Sequence, residues 1–293
     1  MKTAADCIPC LLRRTLEAAR FATADPMAHD HFVQQALGAL AGLDREQSPP
    51  AAEQTIQRLL RQATRVADPY QAAKRRCTTL ALGLLPGLAE AVRRAADPFG
   101  AAVRLAIAGN GIDPGANGGL VEAEMSDTIR SALEEPLFGD LDVFRQTVSH
   151  AARILYLADN AGEIVLDRLL LERLPAGRVT LVVRGAAVLD DATREDAEAA
   201  GVPAWVNVID NGSDAPGTLL ADCSAGFRRA FREADVVIAK GQGNFESLSD
   251  AAPGAFFLFR ITCPAVAAHV GRPEGSLMLW RSPGEAATFP SSS

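Results

Sequence analysis

The sequence predicts an α/β protein in which a parallel sheet, covered by helices on both faces, follows a helical N-terminal region. Two observations support this fold class. Residues 1 to about 95 are rich in Ala, Leu, Arg and Gln, and their apolar residues recur at helical spacing. From about residue 101, short apolar segments alternate with amphipathic ones, which is typical of strand–helix–strand units. We expect a helical domain over residues 1–98 and an α/β domain over residues 99–293.

The N-terminal region contains amphipathic segments separated by Pro-containing breaks. Leu11 and Leu16 lie on one predicted helical face. Breaks follow at residues 48–50 and 68–69, and Pro is tolerated in the first turn of a helix. We therefore predict a succession of helices, the last of them over about residues 80–91.

The α/β region contains a series of short apolar runs with the length of buried strands. We predict strands over residues 103–108, 153–158, 179–183, 205–209, 235–239 and 255–259. We predict helices over residues 126–135, 139–152, 193–200 and 219–233, and a further helix from about residue 164, where apolar residues recur at helical spacing.

The composition excludes several classes of protein. The chain has 293 residues, of which 48% are hydrophobic and 22% are charged, as in ordinary globular domains. Its formal charge of −7 argues against nucleic acid or an anionic membrane as the main partner, although a local metal or Lys can still attract a small anion. No apolar run has membrane-spanning length, and the first ten residues lack the apolar core of a signal peptide. Five cysteines are typical of a reduced protein, so we expect a cytoplasmic location.

The segment Arg153–Asp167 passes from a predicted strand through a polar turn into a predicted helix. Asp159 and Asn160 occupy this turn, at the carboxyl end of the strand, where open α/β sheets bind ligands. A carboxylate and an amide oxygen there can bind a hard divalent cation. An isolated Asp-Asn turn is more often a helix cap than a metal site, so the metal interpretation depends on the residues of the other loops.

Polar residues follow most of the other predicted strands. Parallel strands bring their carboxyl ends to one edge of the sheet, so these residues are expected to converge. They are Asn110, Asp113, Asp159, Asn160, Asp190, Asp191, Asp210, Lys240, Asn244, Glu246 and Arg260. The carboxylates suit Mg²⁺ or Mn²⁺, and the glycines after Lys240 allow backbone N–H groups to approach a phosphate. The set indicates metal-assisted chemistry on a small phosphorylated molecule.

Three motifs in this order resemble the metal-dependent damage-control phosphatase family. They are LADNAGEIVLD at 157–167, VRGAAVLDDATREDA at 183–197 and VIAKGQGNFESL at 237–248. The segments DCIPCLLRR, ADPYQAAKRR and GNGIDPGA resemble the microbial branch of that family, whose members carry a CxxC near the start. The resemblance implies a Rossmann-like α/β/α sandwich with a mostly parallel sheet, preceded by an α-helical N-terminal domain.

The same resemblance implies residue roles. A divalent metal (Mn²⁺, Co²⁺, Ni²⁺ or Mg²⁺) is expected on Asp159, Asn160 and Asp191, although the residues alone do not separate Asp190 from Asp191. The implied substrate is a small phosphometabolite, such as a sugar phosphate or a damaged cofactor phosphate. The residues expected to bind it are Asn110, Asp113, Gln242, Gly243, Asn244, Phe245, Glu246 and Arg260.

The mechanistic hypothesis is hydrolysis of a phosphate monoester. Lys240 and loop N–H groups are expected to hold phosphoryl oxygens while a water, or less readily a carboxylate, attacks phosphorus. Glu163, Asp113 and Glu246 are the candidate general bases, and the sequence does not rank them.

Two other functions fit parts of the sequence. The first is S-adenosylmethionine-dependent carboxyl methyl transfer, which suits a Rossmann-like sheet, although no G-x-G-x-x-G motif is present. The second is a non-enzymatic metal- or redox-responsive binding protein that uses Cys7 and Cys10. A zinc site would need two further ligands beyond this CxxC pair.

Overall fold

The computed structural model describes residues 1–109 and 129–283 of the chain. Its N-terminal part is helical and contains α1 (Cys7–Ala22), α2 (Pro26–Ala41), α3 (Pro49–Thr64), α4 (Gln71–Arg94) and α5 (Pro98–Ala108). Strands and helices then alternate: β1 (Leu137–Phe138), α6 (Leu141–His150), β2 (Ile154–Leu157), α7 (Glu163–Leu171), β3 (Val179–Val183), α8 (Arg194–Ala199), β4 (Asn207–Asp210), α9 (Ala225–Glu233), β5 (Val236–Lys240), α10 (Gly241–Leu248), β6 (Phe256–Arg260), α11 (Pro264–Val270) and β7 (Leu277–Arg281). The predicted α/β fold class is confirmed.

Within the described ranges the sheet has seven strands in the order β1-β7-β6-β5-β2-β3-β4. Strands β2 to β6 are mutually parallel, whereas β7 runs antiparallel to β6 and parallel to β1. From β2 the chain builds outward through β3 and β4, and it then crosses back to place β5 on the other side of β2. The boundary between β2 and β5 is therefore the point where the strand order reverses, which is the usual ligand site of such a sheet.

Successive residues of each strand enter two different cores, because side chains alternate across a sheet. In β2, Ile154 and Tyr156 pack into the core that contains α4, α5 and α7. Leu155 and Leu157 pack into the opposite core, with Phe227 of α9 and Phe245 of α10. Both faces of β2 are buried, so its sequence is a continuous apolar run, as expected for a covered parallel strand.

Helices α1, α2 and α3 form a third core that includes Val188 and Leu189 from the loop after β3. Helix α3 also packs against α10. The N-terminal helices therefore reach the sheet edge at which the strands end. By contrast, α4 and α5 pack in the same core as the sheet itself. The domain boundary predicted at residue 98 stays a prediction.

The predicted strand at 103–108 is wrong, because these residues form the end of helix α5. Asp97 caps this helix by accepting a hydrogen bond from the Gly100 N–H at 3.1 Å, and Pro98 occupies its first turn. Most of α5 is buried on all sides, so its apolar residues show no helical period. A short, fully apolar run does not separate a buried strand from a buried helix.

Other boundaries differ at polar caps. The helix predicted from residue 219 begins at Ala225, because the Ser224 hydroxyl accepts a hydrogen bond from Phe227 N–H. The helix predicted over 139–152 spans Leu141–His150, after the capping residue Asp140. Strand β7 has no counterpart among the predicted strands. In the described part of the chain, no helix has both the length and the apolarity to span a membrane.

Candidate active site

The candidate site lies where β2 and β5 end side by side. Asp159 and Asn160 follow β2, and Lys240 is the last residue of β5. The parallel register pairs Leu157 of β2 with Ala239 of β5, so the loops that follow start at the same level. This edge is where the reversed strand order leaves an opening between neighbouring connections.

Asp159 and Asp191 come together around the guanidinium of Arg184. Nε of Arg184 lies 2.6 Å from Oδ2 of Asp191, and its Nη2 lies 3.5 Å from Oδ1 of Asp159. All three residues are buried. Burial raises the pKa of Asp159 well above its usual range, and the charge of Asp191 raises it further. Burial also raises the pKa of Asp191, although Arg184 acts against this rise.

Main-chain bonds join the two acidic loops. Asn160 and Asp191 form an isolated antiparallel bridge. The Ala192 N–H donates to Asp159 O at 2.7 Å, and the Ala161 N–H donates to Asp190 O at 2.9 Å. This pairing directs the Asp191 carboxylate to Arg184 and Asp159. The choice of Asp191 over Asp190 as a metal ligand stays a prediction.

Lys240 is fully buried, with its ammonium on the α5–α7 side of the sheet. Its Nζ donates to Oε1 of Glu163, to Oδ1 of Asp167 at 2.7 Å and to Ala106 O at 2.8 Å. Although burial lowers its pKa, the carboxylates of Asp167 and Glu163 raise it by more, so Lys240 stays charged. Its three N–H donors are thus bound to protein, in contrast to the expectation that they hold a phosphate.

Glu163 connects this buried lysine to the acidic loop. Its Oε2 accepts a hydrogen bond from Nδ2 of Asn160 at 3.2 Å, while Oε1 binds Lys240. Burial raises the pKa of Glu163 to about 7, with Lys240 limiting the rise. Glu163 therefore fixes the amide of Asn160.

The turn between β5 and α10 requires glycine. Gly241 has φ of +77°, and a Cβ at this position would overlap the carboxylate of Asp159. Gly243 also has no room for a Cβ, because the Pro216 carbonyl lies there. The two glycines let the start of α10 approach the candidate site closely.

Asn244 holds α10 to the end of β2. Its Nδ2 donates to Lys240 O at 2.7 Å and to Ala158 O at 3.1 Å. Its Oδ1 accepts from Arg184 at 3.2 Å and from the Thr218 hydroxyl at 2.8 Å. The amide has thus used its hydrogen-bonding capacity on protein groups.

The other expected substrate residues fall in several environments. Gln242 donates to Glu246 at 2.8 Å, and its Oε1 accepts from the N–H and hydroxyl of Thr262. Phe245 is a core residue, stacked on Phe259 at 4.6 Å between ring centroids. Arg260 pairs with Glu135 at 3.1 Å. Asn110 and Asp113 lie outside the described residues.

Sequence reasoning missed Arg184, Asp167 and Tyr156. Arg184 directly follows β3, so the strand-end rule used for Asp159 would have found it. Asp167 and Tyr156 had no such signal. Their contact, with the Tyr156 hydroxyl donating to Asp167 at 2.8 Å, joins β2 to the middle of α7.

The residues present suit one oxygen-bound cation. Asp159, Asn160 and Asp191 offer two buried carboxylates and an amide, which are ligands of hard divalent ions. Over residues 1–109 and 129–283, no group of three or more His, Cys, Asp or Glu side chains has the arrangement of a metal site. The proposed set therefore depends on the Asn160 amide. Cys7 and Cys10 are not joined by a disulfide.

Comparison with known proteins places this geometry in a family. The family model described as "Damage-control phosphatase ARMT1-like domain" matches residues 3–278. The chain belongs to the damage-control phosphatase family. Membership supports a phosphatase role, implies small phosphorylated substrates and implies a divalent metal cofactor in general.

Individual relatives agree with this assignment to the damage-control phosphatase family. A protein of Archaeoglobus fulgidus named damage-control phosphatase is 34% identical over 288 residues, covering 95% of this chain and 98% of its own. An uncharacterized protein of Methanocaldococcus jannaschii is 31% identical, with 95% of each chain covered. The crystal structure of a DUF89 family protein from Pyrococcus horikoshii superposes with a TM-score of 0.86 at 31% identity, covering 96% of this chain and 99% of that one.

Proposed function

We propose that this protein hydrolyses phosphate monoesters of small metabolites, such as sugar phosphates or damaged cofactor phosphates, with a divalent metal. The observation that carries the proposal is the convergence of Asp159 and Asp191, both buried, with Asn160 at the reversal point of the sheet. Family membership supports the phosphatase reaction. The three side chains are proposed to hold the metal, which is Mn²⁺, Co²⁺, Ni²⁺ or Mg²⁺.

When bound, the metal would supply a positive charge to a phosphoryl oxygen. Arg184 keeps Asp159 and Asp191 in place through its two ion pairs, and Asn244 fixes Arg184 in turn. Lys240 neutralises Glu163 and Asp167 beneath the site, so that Glu163 can orient Asn160. We therefore propose a positioning role for Lys240 in place of direct phosphate contact.

The substrate is proposed to bind above the start of α10. Gly241 and Gly243 bring backbone N–H groups of that helix to the site, where an anion is favoured. Gln242, Glu246 and Arg260 are the proposed side-chain contacts around the substrate. Glu246, with a pKa raised by burial to about 7, is proposed as the general base, since Glu163 is committed to Lys240.

The test uses metal-stripped protein and a panel of sugar phosphates and cofactor phosphates, with each metal added back. We expect metal-dependent phosphate release that falls at least about 100-fold in Asp159→Asn, which keeps the shape of the side chain. Asp142→Asn is the control, because Asp142 is 89% exposed on α6. Full metal-dependent turnover in Asp159→Asn would overturn the assignment, and methyl transfer without phosphate release would overturn the function.

A further inference from the structure

Arg14 lies on the face of α1 that points inward. Cys7, Leu11 and Arg14 recur at helical spacing along this face, and the first two are buried. Arg14 itself is half-buried. Among the residues that the structure describes, none forms a hydrogen bond or an ion pair with its guanidinium.

The other cations near the sheet edge all have carboxylate partners. Arg184 binds Asp159 and Asp191, and Lys240 binds Glu163 and Asp167. Lys74 binds Asp68 and Asp196, and Arg260 binds Glu135. Arg14 differs because its five N–H donors are not committed to the described protein groups.

Negative groups nevertheless lie within electrostatic range of Arg14. Its charge acts on Glu53 of α3, on Asp190 and Asp191 in the loop after β3, and on Glu246 of α10. These groups come from three separate elements. Leu11, on the same face of α1 as Arg14, shares a buried core with Ile56 of α3 and Leu189 of the loop after β3. This face of α1 therefore lies against the loop that carries Asp190 and Asp191. The surrounding carboxylates keep the guanidinium charged and in place without occupying its donors.

Glu53 gives an independent sign of incomplete bonding at this place. It is 1% exposed, and its Oε1 accepts a hydrogen bond from Gln57 at 2.8 Å. Its Oε2 is buried with no hydrogen-bond partner in the described structure. A buried carboxylate oxygen without a partner is costly, and here it lies in the field of an uncommitted guanidinium. The two residues together mark a place where buried polar groups keep unused hydrogen-bonding capacity.

We propose that Arg14 binds the phosphoryl group of the substrate, opposite the metal ligands Asp159, Asn160 and Asp191. The inference rests on the proposed phosphatase function. A guanidinium presents paired N–H donors that match two phosphate oxygens, and such charge-assisted pairs are strong. Helix α1 thereby contributes directly to substrate binding.

The experiment measures the affinity of metal-loaded protein for inorganic phosphate by titration calorimetry. We expect Arg14→Gln to weaken phosphate binding by about 10- to 100-fold, the loss of one charge-assisted pair. Arg14→Lys, which keeps the charge but not the paired donors, should lose less. Arg13→Gln is the matched control, since Arg13 is the exposed neighbour. Its side chain donates a hydrogen bond to Cys10 Sγ at 3.9 Å.

Equal phosphate affinity in Arg14→Gln and Arg13→Gln would overturn the inference, as would a wild-type protein that binds no phosphate at millimolar concentration. A higher KM for the whole substrate with unchanged phosphate affinity would also overturn it, because Arg14 would then contact the organic part. Phosphate titration requires no turnover, so its result is separate from that of the panel assay. Circular dichroism of each variant checks that Arg14→Gln is folded, and Arg14→Lys carries the test if it is not.

Discussion

Gly241 shows how a single residue sets the distance between two loops of the site. Its φ of +77° and its contact with the Asp159 carboxylate both exclude a side chain. We expect Gly241→Ala to destabilise the protein by roughly 1–3 kcal/mol and to abolish metal-dependent activity, because Asp159 must move. Gly254 is the matched control, with φ of +75° and open space where a Cβ would lie.

Urea unfolding and metal titration of Gly241→Ala and Gly254→Ala distinguish two effects. One is the backbone strain of a positive φ, and the other is the overlap of the new Cβ with Asp159. Gly254→Ala carries the same backbone strain, so it should lose stability while keeping metal affinity. Normal metal affinity in Gly241→Ala would show that the approach to Asp159 does not matter.

The location of a side chain was predictable where its place after a strand determines its surroundings. Asp159, Asn160 and Asp191 follow strands or their loops, and the structure brings them together as expected. Lys240 also ends a strand, but its side chain enters the core, because Glu163 and Asp167 of α7, the helix after β2, bind its ammonium there. Whether the side chain at the end of a strand points into the core or into the site depends on its partners, which are far away in the sequence.

Helix α3 holds a loop of the α/β region in place. Asp214 accepts hydrogen bonds from Gln54 at 2.7 Å and from Arg58 at 3.0 Å, and it pairs with Arg61. These contacts tie α3 to the segment 211–222 between β4 and α9. This segment also supports the site, since Thr218 contacts Arg184 and Asn244.

We expect Asp214→Asn to cost about 1–3 kcal/mol, because three donors lose a charged acceptor. Hydrogen exchange should increase in residues 211–222 and in α3 before it does elsewhere. Asp142→Asn is the comparison, because its ion pair with Arg145 is exposed and 4.0 Å long. Unchanged exchange in 211–222 would contradict the role of this contact.

Among the helices and strands, those with a clear hydrophobic periodicity or a capping residue agree best with the prediction. Strand β3 lies at 179–183 as predicted, whereas the strand predicted over 103–108 is the end of α5. The difference is burial, because α5 packs against α7 and β6 and shows no polar face. Strand β7 is absent from the prediction, although α11 separates it from β6 as in the other strand–helix–strand units. It differs from strands β2 to β6 in running antiparallel to its neighbour β6.

At the scale of the whole molecule, several buried carboxylates make stability depend on pH. Burial raises the pKa of Glu246 to about 7, a rise that Gln242 and Arg14 only partly offset. A carboxyl whose folded pKa is raised stabilises the fold at low pH, and this contribution is lost as pH rises through the folded value. The metal-free protein should therefore lose stability between about pH 5 and pH 8.

Urea unfolding of the metal-free protein at several pH values tests the expected loss of stability with rising pH. Relative to Glu246→Gln, the wild type should lose up to about 3 kcal/mol of its free energy of unfolding over this range. Glu274→Gln, at an exposed position, is the control and should follow the wild type. A constant difference between wild type and Glu246→Gln would contradict the expected titration.

The overall architecture was predictable because alternation of strands and helices has few compact solutions. The contribution of α1 and α3 to the site was not, because no local pattern shows that Arg14, in the CxxC segment, or Glu53 meets the sheet edge. That depends on the packing of α3 on α10 and of the N-terminal helices on Val188 and Leu189. The positions of Arg14 and Glu53 are determined by tertiary contacts between segments that are distant in the sequence, and no local pattern encodes such contacts.

The backbone bridge between Asn160 and Asp191 has a kinetic consequence. Main-chain pairing sets the spacing of these two proposed ligands before any ion arrives, so binding requires little rearrangement of the chain. Ions of similar size should then exchange at rates governed by loss of their own water shells. Because oxygen ligands accept several small divalent ions, the ion bound in a cell would also depend on which ion is available.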